Sequence, residues 1–378
     1  MSCPVSDICG GCSCRDMEYS RYKEFKVNNI KRILTAVNSS SYQFQTPIFI
    51  NDGTRRRASM NFAYKHKCIS MGFNKNKTNQ IVDINKCPLL TPKLNHVLPF
   101  IRNLLENLCA EQYSEKKGKK LITKNICGGD VFICEVDNGI DLVLEIDCTL
   151  SMNHRMIIFE LSQTEDAIIR ISHRHHTNDE AETIIEKSKP FIRVGEYDVF
   201  VPAGTFLQPS HDGQKALGDI VSNYLRDVKG NIADLFCGVG TFSYMLASYP
   251  NVKIKAIDSS SALLNGFQES INRNKINNIS IINKNLFKYP LASDELKDFT
   301  AIIFDPPRSG AKAVCLALAN SKFKPDIIVA ISCNPATFVN DANILIDGGY
   351  NLDELTMVDQ FIYSNHSELV ARFTKKHI

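Results

Sequence analysis

Asp234-Leu235-Phe236-Cys237-Gly238-Val239-Gly240-Thr241-Phe242 closes one apolar run, residues 231–236, and opens what reads as a helix. Its two glycines let the backbone turn tightly after a strand and approach a ligand with no Cβ in the way. Downstream the rhythm repeats, with short apolar runs at 253–258, 279–283, 301–304 and 326–332 separated by helical stretches. Strands alternating with helices predict a doubly wound, Rossmann-like α/β domain over 204–378. Upstream, residues 45–203 change to short runs broken by turns, among them 131–136, 141–146, 156–161 and 167–172, which predicts a mostly β central domain. Residues 16–37 carry Ile30, Ile33, Leu34 and Val37 at helical spacing behind Asp16 as a cap, so 16–44 reads as a helical segment packing on the last domain. Residues 1–15 remain as a short cysteine-bearing segment.

With 378 residues, 44% of them hydrophobic, the chain can bury more than one core. No apolar run reaches the roughly 18 residues a membrane helix needs, and the polar N-terminus lacks the apolar stretch of a secretory signal, so a cytoplasmic protein with no membrane partner is expected. Thirteen cysteines in such a chain read as metal ligands, a nucleophile and core filler rather than a disulfide framework. The net charge of +3 conceals a segment, 55–124, with 15 Lys/Arg against Asp83, Glu106, Glu111 and Glu115. That asymmetry predicts a polyanion-binding face of Arg55, Arg56, Arg57, Lys65, Lys67, Lys75 and Lys77, with Lys116, Lys117, Lys119 and Lys120 on an exposed loop tip.

Asp258 ends the second strand of the α/β domain, where a carboxylate can take both hydroxyl protons of a ribose. No third glycine follows Gly240 within 242–245, so a dinucleotide pyrophosphate is poorly served and S-adenosylmethionine fits better than NAD. Asn285, after the third strand, is either an adenine contact or a plain turn residue. Asp305-Pro306-Pro307-Arg308-Ser309-Gly310 ends the fourth strand on two stiff prolines. Ser332-Cys333-Asn334-Pro335 ends the fifth, and because proline disfavours helix in the residue before it, Cys333 should sit on a short irregular exit at the same edge. Methyltransferases acting on exocyclic amines typically end the turn corresponding to 305–308 in an aromatic residue. Arg308 stands there instead, which argues against amine methylation.

With Cys333 in Ser-Cys-Asn-Pro-Ala-Thr, the Asp-Pro-Pro-Arg turn, Phe206-Leu207-Gln208 and His366-Ser367-Glu368, nearly the whole chain resembles the RNA 5-methyluridine (uracil-C5) methyltransferases. Cys3-x5-Cys9-x2-Cys12 with Cys87-Pro88-Leu89-Leu90 is similar to the branch that carries an iron–sulfur cluster and modifies 23S ribosomal RNA, and the start two residues before Cys3 implies a member without the N-terminal TRAM barrel of many relatives. The resemblance implies Cys333 as nucleophile, Glu368 as base, Gln208, Phe236, Thr241, Asp258, Asn285 and Asp305 at the cofactor, and Phe206, Gln208 and Arg308 at the substrate. Thr241 stands where a relative can have asparagine. The chemistry asks for the same pair: carbon 5 of uracil is a poor nucleophile until a thiolate adds at carbon 6, and a base must afterwards strip the carbon 5 proton. RNA, not DNA, is the implied partner, and the target base must leave its helix or loop to reach the thiol.

Four thiolates from Cys3, Cys9, Cys12 and Cys87 could hold [4Fe–4S] or zinc, and spacing does not choose; the resemblance favours a structural iron–sulfur cluster. The radical-type C-x3-C-x2-C arrangement is absent. Cys14 and Cys68 are alternative fourth ligands. His173, His175 and His176 invite a metal reading, but strand alternation predicts that His175 and His176 face opposite ways. Cys237 reads as packing, and Cys109, Cys127, Cys134, Cys148 and Cys315 as core or incidental. Two other functions stay open: a transfer RNA uracil-C5 methyltransferase, and a non-catalytic iron–sulfur RNA-binding assembly factor.

Overall fold

The computed structural model describes residues 3–39, 41–118, 120–177 and 179–376, without the side chains of 115–117 and 121. The chain forms two compact units, Met1–Arg15 with Asn51–Ile192 and Val201–Ser210, and Asp16–Ile50 with Arg193–Phe200 and His211–Ile378. The chain changes unit several times, and Phe206 and Gln208 belong to the first unit. Among the described residues no helix is long and apolar enough to cross a membrane.

The second unit is built on a mixed sheet. Its strands run, side by side, Ile279–Asn283, Val252–Asp258, Gly230–Leu235, Phe299–Phe304, Ile327–Ser332, Glu368–Lys375 and Tyr350–Asp359, with Gln43–Phe44 and Ile48–Phe49 on the outer edge. The first five are parallel and match the five runs read from sequence. Glu368–Lys375 is antiparallel to both neighbours, a hairpin strand that sequence periodicity did not reveal. Strand order reverses at Gly230–Leu235, so the crevice beyond Leu235 and Phe304 is the switch point where α/β sheets take ligands. Leu235, Phe304, Ala330, Leu369 and Phe373 share one buried core with Ile30 and Leu34 of helix Tyr19–Leu34 and with Val37 just beyond it. Glu18, rather than Asp16, caps that helix, accepting from the N–H groups of Ser20 and Arg21.

The first unit carries a seven-stranded sheet in the order Glu182–Glu186, Ile168–Arg174, Gly139–Glu145, Gly128–Val136, Arg57–Lys65, Cys68–Asn74, Ile81–Asp83. The region is mostly β, as expected, with two helices added. Pro92–Ala110 begins on the Thr91 cap with Pro92 in its first turn and buries Leu94, Val97, Leu98, Ile101, Leu104, Leu105 and Leu108, a continuous helical stripe. Residues 156–161, expected as a strand, lie inside helix Met152–Ser162, which Ser151 and His154 open as a capping box.

Candidate active site

Cys333 follows strand Ile327–Ser332 at the carboxyl edge of the sheet. The register pairs Ser332 with Leu369 in the antiparallel neighbour, so one step further along the ladder Cys333 comes level with Glu368. Burial, then the charges of Glu368 and Asp305, push the thiol up to about 11, while Arg308 pulls the other way. Four groups from three separate motifs therefore act on one another at one edge. Asn334 ties two of those motifs together, its Nδ2 donating to the Arg308 carbonyl at 3.1 Å while its Oδ1 caps the following helix through Ala336. Glu368 is buried at 4% exposure and accepts at Oε1 from Nε2 of Gln360, 3.0 Å away.

Around the glycine turn, Asp258 accepts from the N–H of Gly238 at 3.0 Å and of Ser260 at 2.9 Å, which fixes the carboxylate and leaves it further lone pairs for a ribose. Asp234, buried beneath the turn, accepts from the N–H and hydroxyl of Ser243 at one oxygen. Burial pushes Asp234 up to about 7, Asp305 and Asp258 add to that, and Ser243 opposes it. Three carboxylates crowding one edge favour a cationic ligand, as the sulfonium and ammonium of S-adenosylmethionine supply, over an anionic pyrophosphate. Phe236 holds a left-handed φ of 60°, costly for an aromatic residue and characteristic of ligand sites, and its ring lies 5.2 Å from that of Phe287. Phe287 is 47% exposed beside the turn and was missed in the sequence, where nothing distinguishes it from other loop aromatics. Asn285 is engaged as a turn residue, its Oδ1 accepting from Phe287 and Lys288, so any adenine contact falls to its amide nitrogen. Thr241 starts the short helix Thr241–Leu246.

Both glycines hold a left-handed φ, 55° at Gly238 and 88° at Gly240, as a tight turn requires. A Cβ on Gly240 would stand 2.1 Å from the Phe267 ring, so its bareness admits a core side chain, whereas a Cβ on Gly238 would meet open space.

In the first unit, Phe206 is 61% exposed with the Arg57 guanidinium 3.7 Å from its ring centre. Arg56 is wholly buried and donates Nε to the Gln208 carbonyl at 2.9 Å. The arginine triplet is thus not one exposed polyanion face: Arg56, which immediately precedes strand Arg57–Lys65, is buried. Lys65, Lys67, Lys75, Lys77 and Lys120 are exposed; Lys119, and the side chains of Lys116 and Lys117, lie outside the described residues.

Cys3, Cys9, Cys12 and Cys87 line a single cavity of about 270 Å³ together with Arg15, Arg55 and Phe73; Cys14 and Cys68 do not line it. The thiols feel one another's charge: burial first, then Cys87, Cys9 and Cys3, push Cys12 up to about 12. Among the described residues no three His, Cys, Asp or Glu side chains have the close grouping of a single-ion site. His175 and His176 both approach Asp147 at 3.8 Å, against the expectation of opposite faces, because the strand ends at Arg174 and alternation stops there. His173 is buried and its Nε2 lies 3.0 Å from the Ile146 carbonyl.

The family model described as tRNA (Uracil-5-)-methyltransferase matches residues 192–376. An uncharacterized RNA methyltransferase of Brucella melitensis is 31% identical over 375 residues, covering 99% of this chain and 84% of the relative. The 23S rRNA (uracil(1939)-C(5))-methyltransferase of Aliivibrio salmonicida is 25% identical over 380 residues, covering 99% and 82%. In fold, the chain is similar to the Pyrococcus abyssi tRNA (uracil-54, C5)-methyltransferase solved with S-adenosyl-L-homocysteine, with a TM-score of 0.73 at 23% identity over 99% of this chain and 86% of that one.

Proposed function

The chain belongs to the RNA uracil-5-methyltransferase family, and from that premise we propose that it methylates carbon 5 of one uridine in 23S ribosomal RNA, in the cytoplasm, with S-adenosylmethionine as donor. The observation that carries the reading is the meeting of Cys333 and Glu368 across one strand pair, with Asp305 and Arg308 acting on the same thiol. A nucleophile and a base brought together at the switch point of an α/β sheet suit an addition–elimination on a flat ring.

In this mechanism the Cys333 sulfur, as thiolate, bonds to carbon 6 of the uracil and moves the ring electrons onto carbon 5 and the carbonyl oxygen. S-adenosylmethionine, when bound, supplies the electrophilic methyl that carbon 5 accepts. Glu368 then takes the carbon 5 proton, the C–H electrons form the 5,6 double bond, and the sulfur leaves as thiolate. Phe206 offers the uracil a stacking face, Gln208 reaches base and cofactor, and Arg308 keeps a positive charge near the thiol and the RNA backbone. Asp258 holds the ribose, with Phe236, Thr241, Asn285 and Asp305 completing the cofactor pocket.

For Cys3, Cys9, Cys12 and Cys87 the proposal is a structural [4Fe–4S] cluster. Their shared cavity supports it; four thiolates there suit zinc or iron–sulfur alike, and the similarity of Cys87-Pro88-Leu89-Leu90 to the cluster-bearing branch favours iron. The ribosomal target draws support from the activity for which the Aliivibrio relative is named; a transfer RNA target draws its support from the matching tRNA (Uracil-5-)-methyltransferase family model.

The test is covalent trapping. With S-adenosylmethionine and RNA carrying 5-fluorouridine, the protein should form an adduct stable to denaturation, because fluorine cannot leave as a proton does. Cys333→Ala should form none; an adduct with this variant overturns the mechanism. Mass spectrometry of ribosomal and transfer RNA from a strain lacking the gene assigns the target.

A further inference from the structure

The proposed base stands at the start of strand Glu368–Lys375, and the segment between it and strand Tyr350–Asp359 is held from an unexpected direction. Asp359, 1% exposed, pairs with Lys26 Nζ at 2.9 Å and accepts from the Tyr22 hydroxyl at 2.5 Å. Lys26, itself 2% exposed, also donates to the Ser364 carbonyl at 2.9 Å and to the His366 carbonyl. The Tyr22 oxygen in turn accepts from the Tyr363 N–H at 2.8 Å, and the two tyrosine rings lie 4.9 Å apart. Tyr363 keeps a left-handed φ of 57°, a conformation that a non-glycine residue holds only when its surroundings impose it. Helix Tyr19–Leu34 thus grips the segment at both ends. Between the grips lies Gln360, 3% exposed, whose amide donates to Glu368 Oε1.

Burying an ammonium and a carboxylate together is seldom the most stable solution, and such pairs are kept where register matters. What register matters for here is the carboxylate of Glu368. A carboxylate turns freely about its last bond, and abstraction of a proton from carbon demands one oxygen at one angle. An amide N–H on Oε1 stops that rotation.

Resting on the reading of Glu368 as the base, we propose that Gln360 is a positioning residue for proton abstraction, and that Tyr22 and Lys26 of the N-terminal helix hold it in place. The atoms balance as before: the carbon 5 proton passes to Glu368, its bonding pair closes the double bond, and the C–S bond to Cys333 opens. Gln360 exchanges no proton. Losing its hydrogen bond to a charged group slows elimination about tenfold or more and leaves addition and methyl transfer untouched.

The experiment measures partition. Gln360→Met keeps volume and loses the donor; Gln360→Asn keeps the amide one methylene short; Tyr22→Phe loosens the grip from outside. Each full-length variant is mixed with unmodified 23S ribosomal RNA transcript and labelled S-adenosylmethionine, quenched, and scored for methylated protein–RNA adduct against released methylated RNA. Both Gln360 variants should raise the adduct fraction about tenfold, and Tyr22→Phe should raise it less, with binding of S-adenosylhomocysteine and alkylation of Cys333 as in the parent. Wild-type partition in both Gln360 variants overturns the proposal, as does loss of cofactor binding in parallel with the adduct, which would make the role merely structural. Glu368→Gln is the control: if it traps adduct while the Gln360 variants do not, only this proposal falls, and if it freely releases methylated RNA, the base assignment falls first.

Discussion

A thiol pushed up to about 11 is almost wholly protonated at neutral pH, with about one part in ten thousand as thiolate. Cys333 is therefore a quiet cysteine until something at its edge changes charge. Alkylation by iodoacetamide, followed by mass spectrometry of the Cys333 peptide, should quicken about tenfold per pH unit above neutrality and level off near 11. Neighbours set the midpoint in opposite senses. Glu368→Gln removes a negative charge and should speed alkylation, whereas Arg308→Ala removes a positive one and should slow it; equal rates in both variants would mean that neither charge reaches the sulfur. The position of this thiol was legible in the sequence, since an apolar run ending in Cys-Asn-Pro has few places to go. Its quietness was not legible, because Glu368 and Asp305 reach it only through strand order and register, which no local pattern carries. The same limit hid Gln360, an ordinary polar residue until the hairpin folds it onto Glu368.

At the scale of elements, period decides what can be read. The five parallel strands are runs of branched apolar residues bounded by turns, and they emerged within a residue or two. Residues 156–161 form an equally apolar run, yet Met152, Met156 and Phe159 fall on an exposed helical stripe, and only the capping residues before them reveal it. The glycine turn makes the energetic point. Gly240→Ala must place a Cβ against Phe267 at a φ of 88° and should cost about 2–4 kcal/mol, while Gly238→Ala, at φ 55° with open space ahead, should cost about 1 kcal/mol. Thermal melts would separate them, and equal losses would refute the packing account. Asp234 beneath the turn adds a pH signature. Its folded value near 7 lies above the ordinary one, so the folded state holds the extra proton. Its stabilising contribution is complete below about pH 4 and is lost as pH rises to 7, by up to about 1.4 kcal/mol per unit. Urea melts across that window should show the slope in the parent protein and not in Asp234→Asn.

Across the whole molecule, the cysteines sort by place rather than by spacing. Sequence offered six for four ligand positions, and the fold sends four of them, from two distant segments, to one cavity. Cys14 is buried elsewhere and Cys68 is exposed at the start of strand Cys68–Asn74. A group bound there would join Met1–Arg15 to the body of the first unit through Cys87, whose backbone is fixed by Asn95: the N–H of Cys87 donates to Asn95 Oδ1 at 2.8 Å and Asn95 Nδ2 returns a bond to the Cys87 carbonyl at 3.0 Å. Tethering of that kind acts on stability, since a ligand that binds only the folded state raises it by mass action. Protein prepared without oxygen should be brown and hold four irons with four inorganic sulfides. Cys12→Ser and Cys87→Ser should lose iron and melt earlier, while Cys14→Ser and Cys68→Ser should keep both colour and melting point. Stripping the metal with a chelator should open residues 3–15 to protease and leave the pH profile of Cys333 alkylation where it was, because that profile is set by burial at the sheet edge and by Glu368, Asp305 and Arg308. A colourless protein with one zinc, or iron retained by Cys87→Ser, would show that these four thiols are not the cluster's ligands.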